Sequence, residues 1–330
     1  MTTGGSRRPA ARDRDALLGS LSAVVAAGLF GMLGPLTRLA GDAGLPGIAM
    51  TAWRAALGVA FLAVLLAARR GAGDAASALR ALEPRGRAAL ATAALAGFVL
   101  NAAMFTAFGL APVALVLMMF YTYPAGVAVV DLATGREQLT RWRAAALALS
   151  MGGVVLVLAG GSSTASAAPS AVAGVLLGLV ASASQVVFVT VSRNGYRSVP
   201  ADAASLVIMS TAVAGAIALA VVSGQAPGLL VPFSTPSVWP LILLAGVAAA
   251  GVSSLLFLMA IRRIGGTRTG ILMLFEPVVG VVLAALVLGE TMTGVQVLGT
   301  ALVLLGALVL QRRSEPSLAP VVETAAGPVV

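Results

Sequence analysis

Residues 273–295, MLFEPVVGVVLAALVLGETMTGV, decide the fold because they repeat, in altered form, a segment that lies 153 residues earlier. That segment is FYTYPAGVAVVDLATGREQLTRW, residues 120–142. The matching positions are Pro124 with Pro277, Glu137 with Glu290, Thr140 with Thr293, and Gly153 with Gly306. Each segment is a long apolar stretch that ends in a polar turn, so the chain is predicted to contain two copies of one helical unit.

The composition places the chain in a membrane. Of 330 residues, 59% are hydrophobic and 10% are charged, and the mean hydropathy is +1.01. Because a soluble domain carries about 25% charged residues, this chain cannot build a water-exposed surface. It contains no Cys and no His, which excludes disulfides, Cys/His zinc sites and the usual neutral-pH proton shuttle. We therefore expect no metal site and no cofactor, and the dispersed arginines do not indicate nucleic-acid binding.

Ten segments are long and apolar enough to cross a bilayer, which takes about 20 residues. They are residues 17–37, 47–68, 87–108, 113–132, 143–160, 171–192, 203–223, 238–260, 269–288 and 293–311. Because each copy holds an odd number of spans, the second copy enters the membrane from the opposite side. The sequence therefore predicts an all-α integral membrane protein with ten transmembrane helices in two inverted five-helix repeats, a pattern typical of secondary transporters.

The arginines orient this arrangement. If the N-terminus is inside, 19 of the 21 basic residues fall in the predicted inner segments, and all 21 are Arg. Positive residues concentrate on the cytoplasmic side of membrane proteins, so both termini are predicted to be cytoplasmic, in the plasma membrane of a bacterium. The predicted divisions are a tail at 1–16, repeats at 17–160 and 171–311, an external linker at 161–170 and a tail at 312–330.

One carboxylate lies inside the ninth predicted span, where the chain carries no other charge from Thr269 to Leu288. Placing the ionised side chain of Glu276 there costs about 3 kcal/mol, so such a group normally faces a cavity or finds a partner. Two roles remain open, binding of a substrate or proton and a structural role held by an Arg or by backbone donors. Pro277 lacks an N–H, so the carbonyl of Met273 loses its helical partner and is free to face a substrate or water.

The fourth predicted span carries Tyr123 and Pro124 at the equivalent place. Pro124 frees the carbonyl of Phe120 in the same way, and Tyr121 and Tyr123 supply phenols. Only one of the two tyrosines can face a cavity squarely, and the alternative for the other is a hydrogen bond between helices. The two halves are thus predicted to match in backbone and to differ in charge.

Further polar groups lie at membrane depth. Arg54 is about 10 Å inside the second span at 1.5 Å per residue, and three roles stay open: snorkelling to the surface, recognition of a substrate carboxylate and pairing with Glu276. Asp131, at the inner end of span four, is expected to pair with Arg136 or another inner-loop arginine. The remaining candidates for substrate contact, each with helix-to-helix bonding as the alternative, are Asn101, Ser182, Gln185 and Ser254.

A family resemblance rests on three segments. Residues 262–310, RRIGGTRTGILMLFEPVVGVVLAALVLGETMTGVQVLGTALVLLGALVL, resemble the closing part of an EamA domain of the drug/metabolite transporter (DMT) superfamily. FYTYPAGVAVV, residues 120–130, is similar to its counterpart in the first half, and TAWRAALGVAFL, residues 51–62, to the family's second span with its Arg. The resemblance covers residues 17–311. Residues 28–35, GLFGMLGP, depart from it, since many members carry a tryptophan before the glycine.

The resemblance implies a secondary transporter that works by alternating access, with a cavity lined by spans one, three, four, six, eight and nine. The family consists mainly of exporters of amino acids and other small metabolites, with some importers and drug transporters, and it implies no cofactor. The expected partners are a small-molecule substrate and the lipid bilayer; a proton as coupling ion and a homodimer are left open. The alternative class is an intramembrane lipid-modifying enzyme, which usually clusters Asp, His or Cys at membrane depth. With one deep carboxylate, no enzymatic activity is expected.

Overall fold

The structure is a computed structural model that describes residues 9–69, 72–108, 110, 113–136, 140–160, 169–288 and 293–312. Glu137 and Glu290, one of the matched pairs of the repeat, lie outside the described residues. Every regular element within the described ranges is a helix. The all-α prediction is therefore confirmed.

The helices of the first half follow the predicted spans closely. They are α1 (Pro9–Gly31), α2 (Leu33–Asp42), α3 (Gly47–Ala68), α4 (Ala72–Arg80), α5 (Pro84–Phe108), α6 (Val113–Phe120), α7 (Tyr123–Ala133) and α8 (Arg141–Gly160). The first helix begins at Pro9, ahead of the predicted span, because a proline is well suited to the first helical position. The helix α4 is a short additional element between the second and third spans.

The second half has the same plan with more interruptions. Its helices are α9 (Pro169–Ser192), α10 (Ala201–Val222), α11 (Val231–Ser234), α12 (Trp239–Gly246), α13 (Ser253–Ile264), α14 (Gly266–Met273), α15 (Glu276–Leu288) and α16 (Gly294–Arg312). Two 3₁₀ turns, Ala226–Leu230 and Pro236–Val238, flank α11, and a π-helical segment, Val247–Val252, joins α12 to α13.

Seven stretches of the described chain are long and apolar enough to cross a membrane. They are Arg14–Asp42, Gly47–Ala68, Pro84–Met104, Val172–Ser192, Ala201–Val222, Pro236–Ile264 and Gly266–Val287. These helices indicate a multi-pass membrane protein. The other three predicted spans coincide with α6–α7, α8 and α16, and the count of ten stays a prediction.

The helices pack in pairs, and each pair joins one helix of the first half to one helix of the second half. The pairs are α1 with α13, α5 with α9, α3 with α10, α7 with α14, and α8 with α16. In span numbers these are 1 with 8, 3 with 6, 2 with 7, 4 with 9, and 5 with 10. Replacing each span by its equivalent in the other half returns the same set of pairs. This is the packing that a two-fold axis between the halves requires.

Equivalent helices run in opposite directions, so the two repeats are inverted. In the pair α8–α16, a Cβ added to Gly153 would lie 2.6 Å from the carbonyl oxygen of Gly299, and one added to Gly306 would lie 2.8 Å from that of Ala146. Residue numbers increase along α8 in the direction in which they decrease along α16, so the two helices are antiparallel. The matched glycines also allow the backbones to approach closely, as is common between membrane helices.

The two proline-bearing spans break at equivalent positions. Residues 121–122 separate α6 from α7, and residues 274–275 separate α14 from α15. The N–H of Thr122 and that of Phe275 bond carbonyls three residues earlier, at 3.3 and 3.2 Å, so the turn tightens before each new helix begins. Pro124 and Pro277 are the second residues of α7 and α15, where a missing N–H is tolerated.

Candidate functional site

Glu276 is the first residue of α15, and its side chain is half-buried. Leu274 and Pro277, close to it in the chain, are buried. The N-terminal turn of a helix favours a negative charge because its N–H groups point outward. The break in the ninth span thus provides a suitable environment for a carboxylate at membrane depth.

The two tyrosines of the fourth span lie against this carboxylate. Tyr121 is 4% exposed and Tyr123 is 2% exposed, and both phenols lie within electrostatic range of the Glu276 carboxylate. The break between α6 and α7 therefore places two buried phenols near the carboxylate. Glu276 and Tyr123 occupy equivalent positions in the two repeats.

Arg54 reaches the same region from α3. Its Nη2 donates to Oδ1 of Asn101 at 2.8 Å, and Nδ2 of Asn101 donates to the carbonyl of Gly97 at 2.7 Å. Arg54 and Glu276 attract one another electrostatically. The guanidinium thus points toward α5 and α15 instead of extending to the membrane surface, and Asn101 holds its orientation.

The first span is also broken beside Glu276, which the sequence reasoning missed. Met32 separates α1 from α2, and Pro35, four residues after Gly31, removes the N–H that would bond the Gly31 carbonyl. A Cβ added to Gly31 would lie 2.7 Å from the backbone oxygen of Glu276 and 2.8 Å from Cβ of Val279. The signal that could have found this contact was the proline in GLFGMLGP.

The other predicted site residues are distributed differently. Ser182 is buried, and its hydroxyl lies 2.9 Å from that of Thr122, so it links α9 to the break of the fourth span. Gln185 on α9 and Ser254 on α13 are half-buried. Among the hydrogen bonds of the described residues, none joins either side chain to Glu276. Thr122 was missed, because a threonine beside two tyrosines gave no signal of its own.

The junction between α12 and the π-helical segment packs against the backbone of α3 around Arg54. A Cβ added to Gly246, the last residue of α12, would lie 3.0 Å from the carbonyl oxygen of Arg54, and one added to Gly58 would lie 3.2 Å from that of Gly246 and 3.3 Å from the backbone nitrogen of Gly251. Such close packing of α3 on this junction holds Arg54 at a fixed depth. π-Helical turns are often found at functional sites, and hydrophobic periodicity did not reveal this one.

The site contains one carboxylate, one guanidinium and two phenols beside two helix breaks. A carboxylate binds an amine or a proton, and a guanidinium binds a carboxylate through its planar fork. Within the described part of the chain, no three His, Cys, Asp or Glu residues come together in a way that could hold a metal ion. The arrangement can thus bind a small polar molecule through opposite charges.

Comparison with known proteins gives one family and one fold. The model of the EamA-like transporter family matches residues 17–159 and again residues 172–312. Comparison with curated proteins finds no match. A protein of known crystal structure is similar in fold, with a TM-score of 0.72 over 91% of this chain and 97% of that one, at 20% sequence identity. At this identity the likeness extends to the fold alone.

Proposed function

Because the chain belongs to the EamA-like transporter family, we propose that it is a secondary active transporter that exports a small metabolite, such as an amino acid, by alternating access. The two matched repeats and their inverted packing support this mechanism, since inverted halves can exchange conformations. We place the protein in the bacterial plasma membrane with both termini in the cytoplasm, because the arginines segregate to one side.

The observation that carries the proposal is the meeting of Glu276 and Tyr121 at two helix breaks. In secondary transporters, substrate and coupling ions bind near the midplane, where discontinuous helices offer their termini. Glu276 begins α15, and the buried phenol of Tyr121 lies within electrostatic range of its carboxylate. We assign it the binding of a substrate amine or of a coupling proton.

Arg54 supplies the opposite charge. Its guanidinium is oriented by Asn101 and attracted to Glu276. A substrate that carries both an amine and a carboxylate would insert between the two side chains and satisfy each with its opposite end. Without substrate, Arg54 compensates the charge of Glu276 and lowers the cost of keeping it at membrane depth.

Export would follow if Glu276 takes up a proton from outside as the substrate leaves, and returns it to the cytoplasm on the next cycle. The alternatives are an importer, or a transporter of drugs or other metabolites in the same superfamily. The direction of transport is determined by measuring whether an inward or an outward proton gradient accelerates the movement of substrate. An intramembrane enzyme is not favoured, because the described residues show no cluster of His, Cys, Asp or Glu that could hold a metal ion, which such enzymes usually need at membrane depth.

Counterflow in proteoliposomes tests the proposal. Purified protein would be reconstituted with an unlabelled mixture of amino acids inside, and the entry of each labelled amino acid would be measured. We expect transient accumulation of at least one of them, and weaker competition by its decarboxylated analogue than by the amino acid itself. In Arg54→Ala this difference should disappear. Absence of counterflow for every amino acid would reject this substrate class, and equal discrimination by both proteins would reject the role of Arg54.

A further inference from the structure

A polar cluster joins the ends of three helices on the arginine-rich side of the molecule. Asp131, near the end of α7, is 2% exposed. Its Oδ2 accepts a hydrogen bond from Oγ1 of Thr267 on α14 at 3.0 Å, and its Oδ1 lies 3.7 Å from Nη1 of Arg193, which follows α9. Of the two expected pairings, the structure shows the one with another inner-loop arginine, Arg193, while Arg136 donates to the carbonyl of Thr190. A single buried carboxylate thus holds α7, α9 and α14 together.

Closely packed apolar residues lie between this cluster and the central site. A Cβ added to Gly266 would lie 2.9 Å from Cγ1 of both Val127 and Val189, and one added to Gly270 would lie 3.2 Å from Cβ of Pro124. Val127 and Val189 are fully buried. The helices α7 and α14 are therefore in close contact from the break in the fourth span to the polar cluster. This end of the route to Glu276 is closed.

The opposite end lacks both features. The repeat relates α7 to α15 and α14 to α6, yet in the described residues α6 and α15 do not pack against one another as α7 and α14 do. The carboxylate and the hydroxyl of the polar cluster also have no equivalent in the sequence. Moving by 153 residues from Asp131 and Thr267 leads to Ala284 and Ala114. A carboxylate and a hydroxyl on one side thus correspond to two methyl groups on the other.

We propose that Asp131, Thr267 and Arg193 form a polar lock that closes one end of the transport route and favours the state open at the other end. The inference rests on the proposed alternating-access function. Apolar contacts alone would be available at both ends of a symmetric molecule, whereas the lock adds a contact at one end only. Its presence shifts the balance between the two states in one direction.

The interaction between Arg193 and Asp131 is weak enough to break during transport. The Arg193–Asp131 separation of 3.7 Å exceeds the length of about 2.7–2.9 Å that is usual for a charge-assisted hydrogen bond. Arg193 is 23% exposed, whereas Asp131 is 2% exposed. When the helices part, water reaches Asp131 and offsets much of the attraction that is lost, because a buried ion pair gives up solvation in order to form. The pair therefore biases the closed end without fixing it.

The absence of native cysteines makes a direct test straightforward. Single reporters would be placed at equivalent positions of the two repeats, Val127→Cys in the closed layer and Gly280→Cys near the opposite end. A Cβ at position 280 makes only an ordinary contact, 3.4 Å from the carbonyl of Gly31. The full-length protein would be held in nanodiscs, which expose both faces, and the rate of reaction with a membrane-impermeant maleimide would be measured. We expect Gly280→Cys to react quickly and Val127→Cys slowly.

Removing the charge of the lock should reverse this preference. In Asp131→Asn we expect labelling of Val127→Cys to rise about five- to tenfold, within the usual range of coupling energies, and labelling of Gly280→Cys to fall. Arg193→Gln should act in the same direction, and the double variant should add little to either single change. Asp202→Asn is the matched control, because its carboxylate pairs with Arg69 at 3.8 Å near the same end but joins neither α7 nor α14.

Two outcomes would overturn the lock. Unchanged labelling of Val127→Cys in Asp131→Asn would show that the carboxylate does not hold this end closed. A rise at both reporters would indicate loosened packing instead of an exchange between two states. Thr267→Val, which keeps the shape of the side chain and removes the hydrogen bond, provides a second variant with the same expected direction and a smaller effect.

Amino-acid counterflow, measured on the same proteins, separates this inference from the proposed function. If counterflow is present and labelling does not respond to Asp131→Asn, the lock is wrong and the transporter proposal stands. If no amino acid is transported but the two reporters change in opposite directions, the lock is supported and the proposed substrate class is wrong.

Discussion

The two proline-broken spans, α6–α7 and α14–α15, share one backbone and carry different side chains. Each breaks over two residues, and each resumes with a proline as the second residue of the new helix. The first residue of the new helix is Tyr123 in one repeat and Glu276 in the other. Arg54, the cation that attracts Glu276, corresponds to Ile208 in the second half, because α3 and α10 both begin directly after a proline, Pro46 and Pro200. The two halves thus share a backbone plan and differ in charge.

The largest effect on transport is expected from removing the charge of Glu276, which distinguishes the break in the ninth span from the break in the fourth. We expect Glu276→Gln to reduce amino-acid counterflow roughly 10- to 100-fold, because a hydrogen bond to a charged group is worth about 1.5–3 kcal/mol. Glu83→Gln, at an exposed position between α4 and α5, should transport normally. An unaltered rate, affinity and pH profile in Glu276→Gln would remove the carboxylate from both substrate and proton binding.

The next largest effect is expected from restoring the broken backbone. Pro277→Ala returns an N–H that can bond the carbonyl of Met273, which should lower counterflow about five- to tenfold if the re-formed bond is worth about 1 kcal/mol. Pro124→Ala should act in the same direction with a smaller effect, because the residue before Pro124 is the uncharged Tyr123, whereas the residue before Pro277 is Glu276. Pro200→Ala, at the start of α10, is the control. Equal transport by all three variants would mean that the breaks are only structural.

The two tyrosines sharpen the comparison within the first repeat. Glu276 acts on Tyr121 at short range as well as through its charge, whereas it acts on Tyr123 through its charge alone. We expect Tyr121→Phe to lower counterflow about three- to fivefold, consistent with the loss of one hydrogen bond. Tyr123→Phe should have a smaller effect. The reverse order would show that Tyr123 makes the functional contact, and the measurement is the initial rate at subsaturating substrate.

The smallest effect on transport, but a measurable loss of stability, is expected from the contact between α1 and α15. Gly31→Ala would press a methyl group to 2.7 Å from the backbone oxygen of Glu276, whereas Gly28→Ala meets nothing within 4 Å. Overpacking of this kind costs about 1–3 kcal/mol, so Gly31→Ala should lower the melting temperature in detergent. Gly28→Ala should leave it unchanged or raise it slightly, because alanine favours the helix. Equal melting temperatures would mean that α1 and α15 are free to separate.

The features predicted correctly are those that depend on residues close together in the chain. Pro124 and Pro277 had to interrupt their helices, because a proline lacks the N–H that the preceding turn requires. The all-α class and the family followed from apolar length and from the repeated segment. The role of Glu276 stays a prediction, although the structure places Tyr121 and the charge of Arg54 beside it.

The features that could not be predicted depend on which helices meet and at what height. The sequence left open whether Asp131 pairs with Arg136 or with another inner-loop arginine, and the fold brings Arg193 to it. Ser182 had two open roles, contact with a substrate and bonding between helices, and its hydroxyl lies 2.9 Å from that of Thr122. Both outcomes depend on the packing of α9 against α7, and hydrophobic periodicity identifies a helix without fixing its neighbours or its rotation.

The sequence by itself determined that this protein is a helical membrane protein built from two related halves, with a carboxylate and two prolines at matched depths. These properties follow from transfer energy and covalent geometry, which act locally. Only the tertiary structure decided that Tyr121 lies near Glu276, that Asn101 orients Arg54, and that Asp131 meets Thr267 and Arg193 at one end of the bundle. Such contacts join residues far apart in the chain, and they are set by how closely small residues such as Gly31 and Gly266 allow the helices to approach.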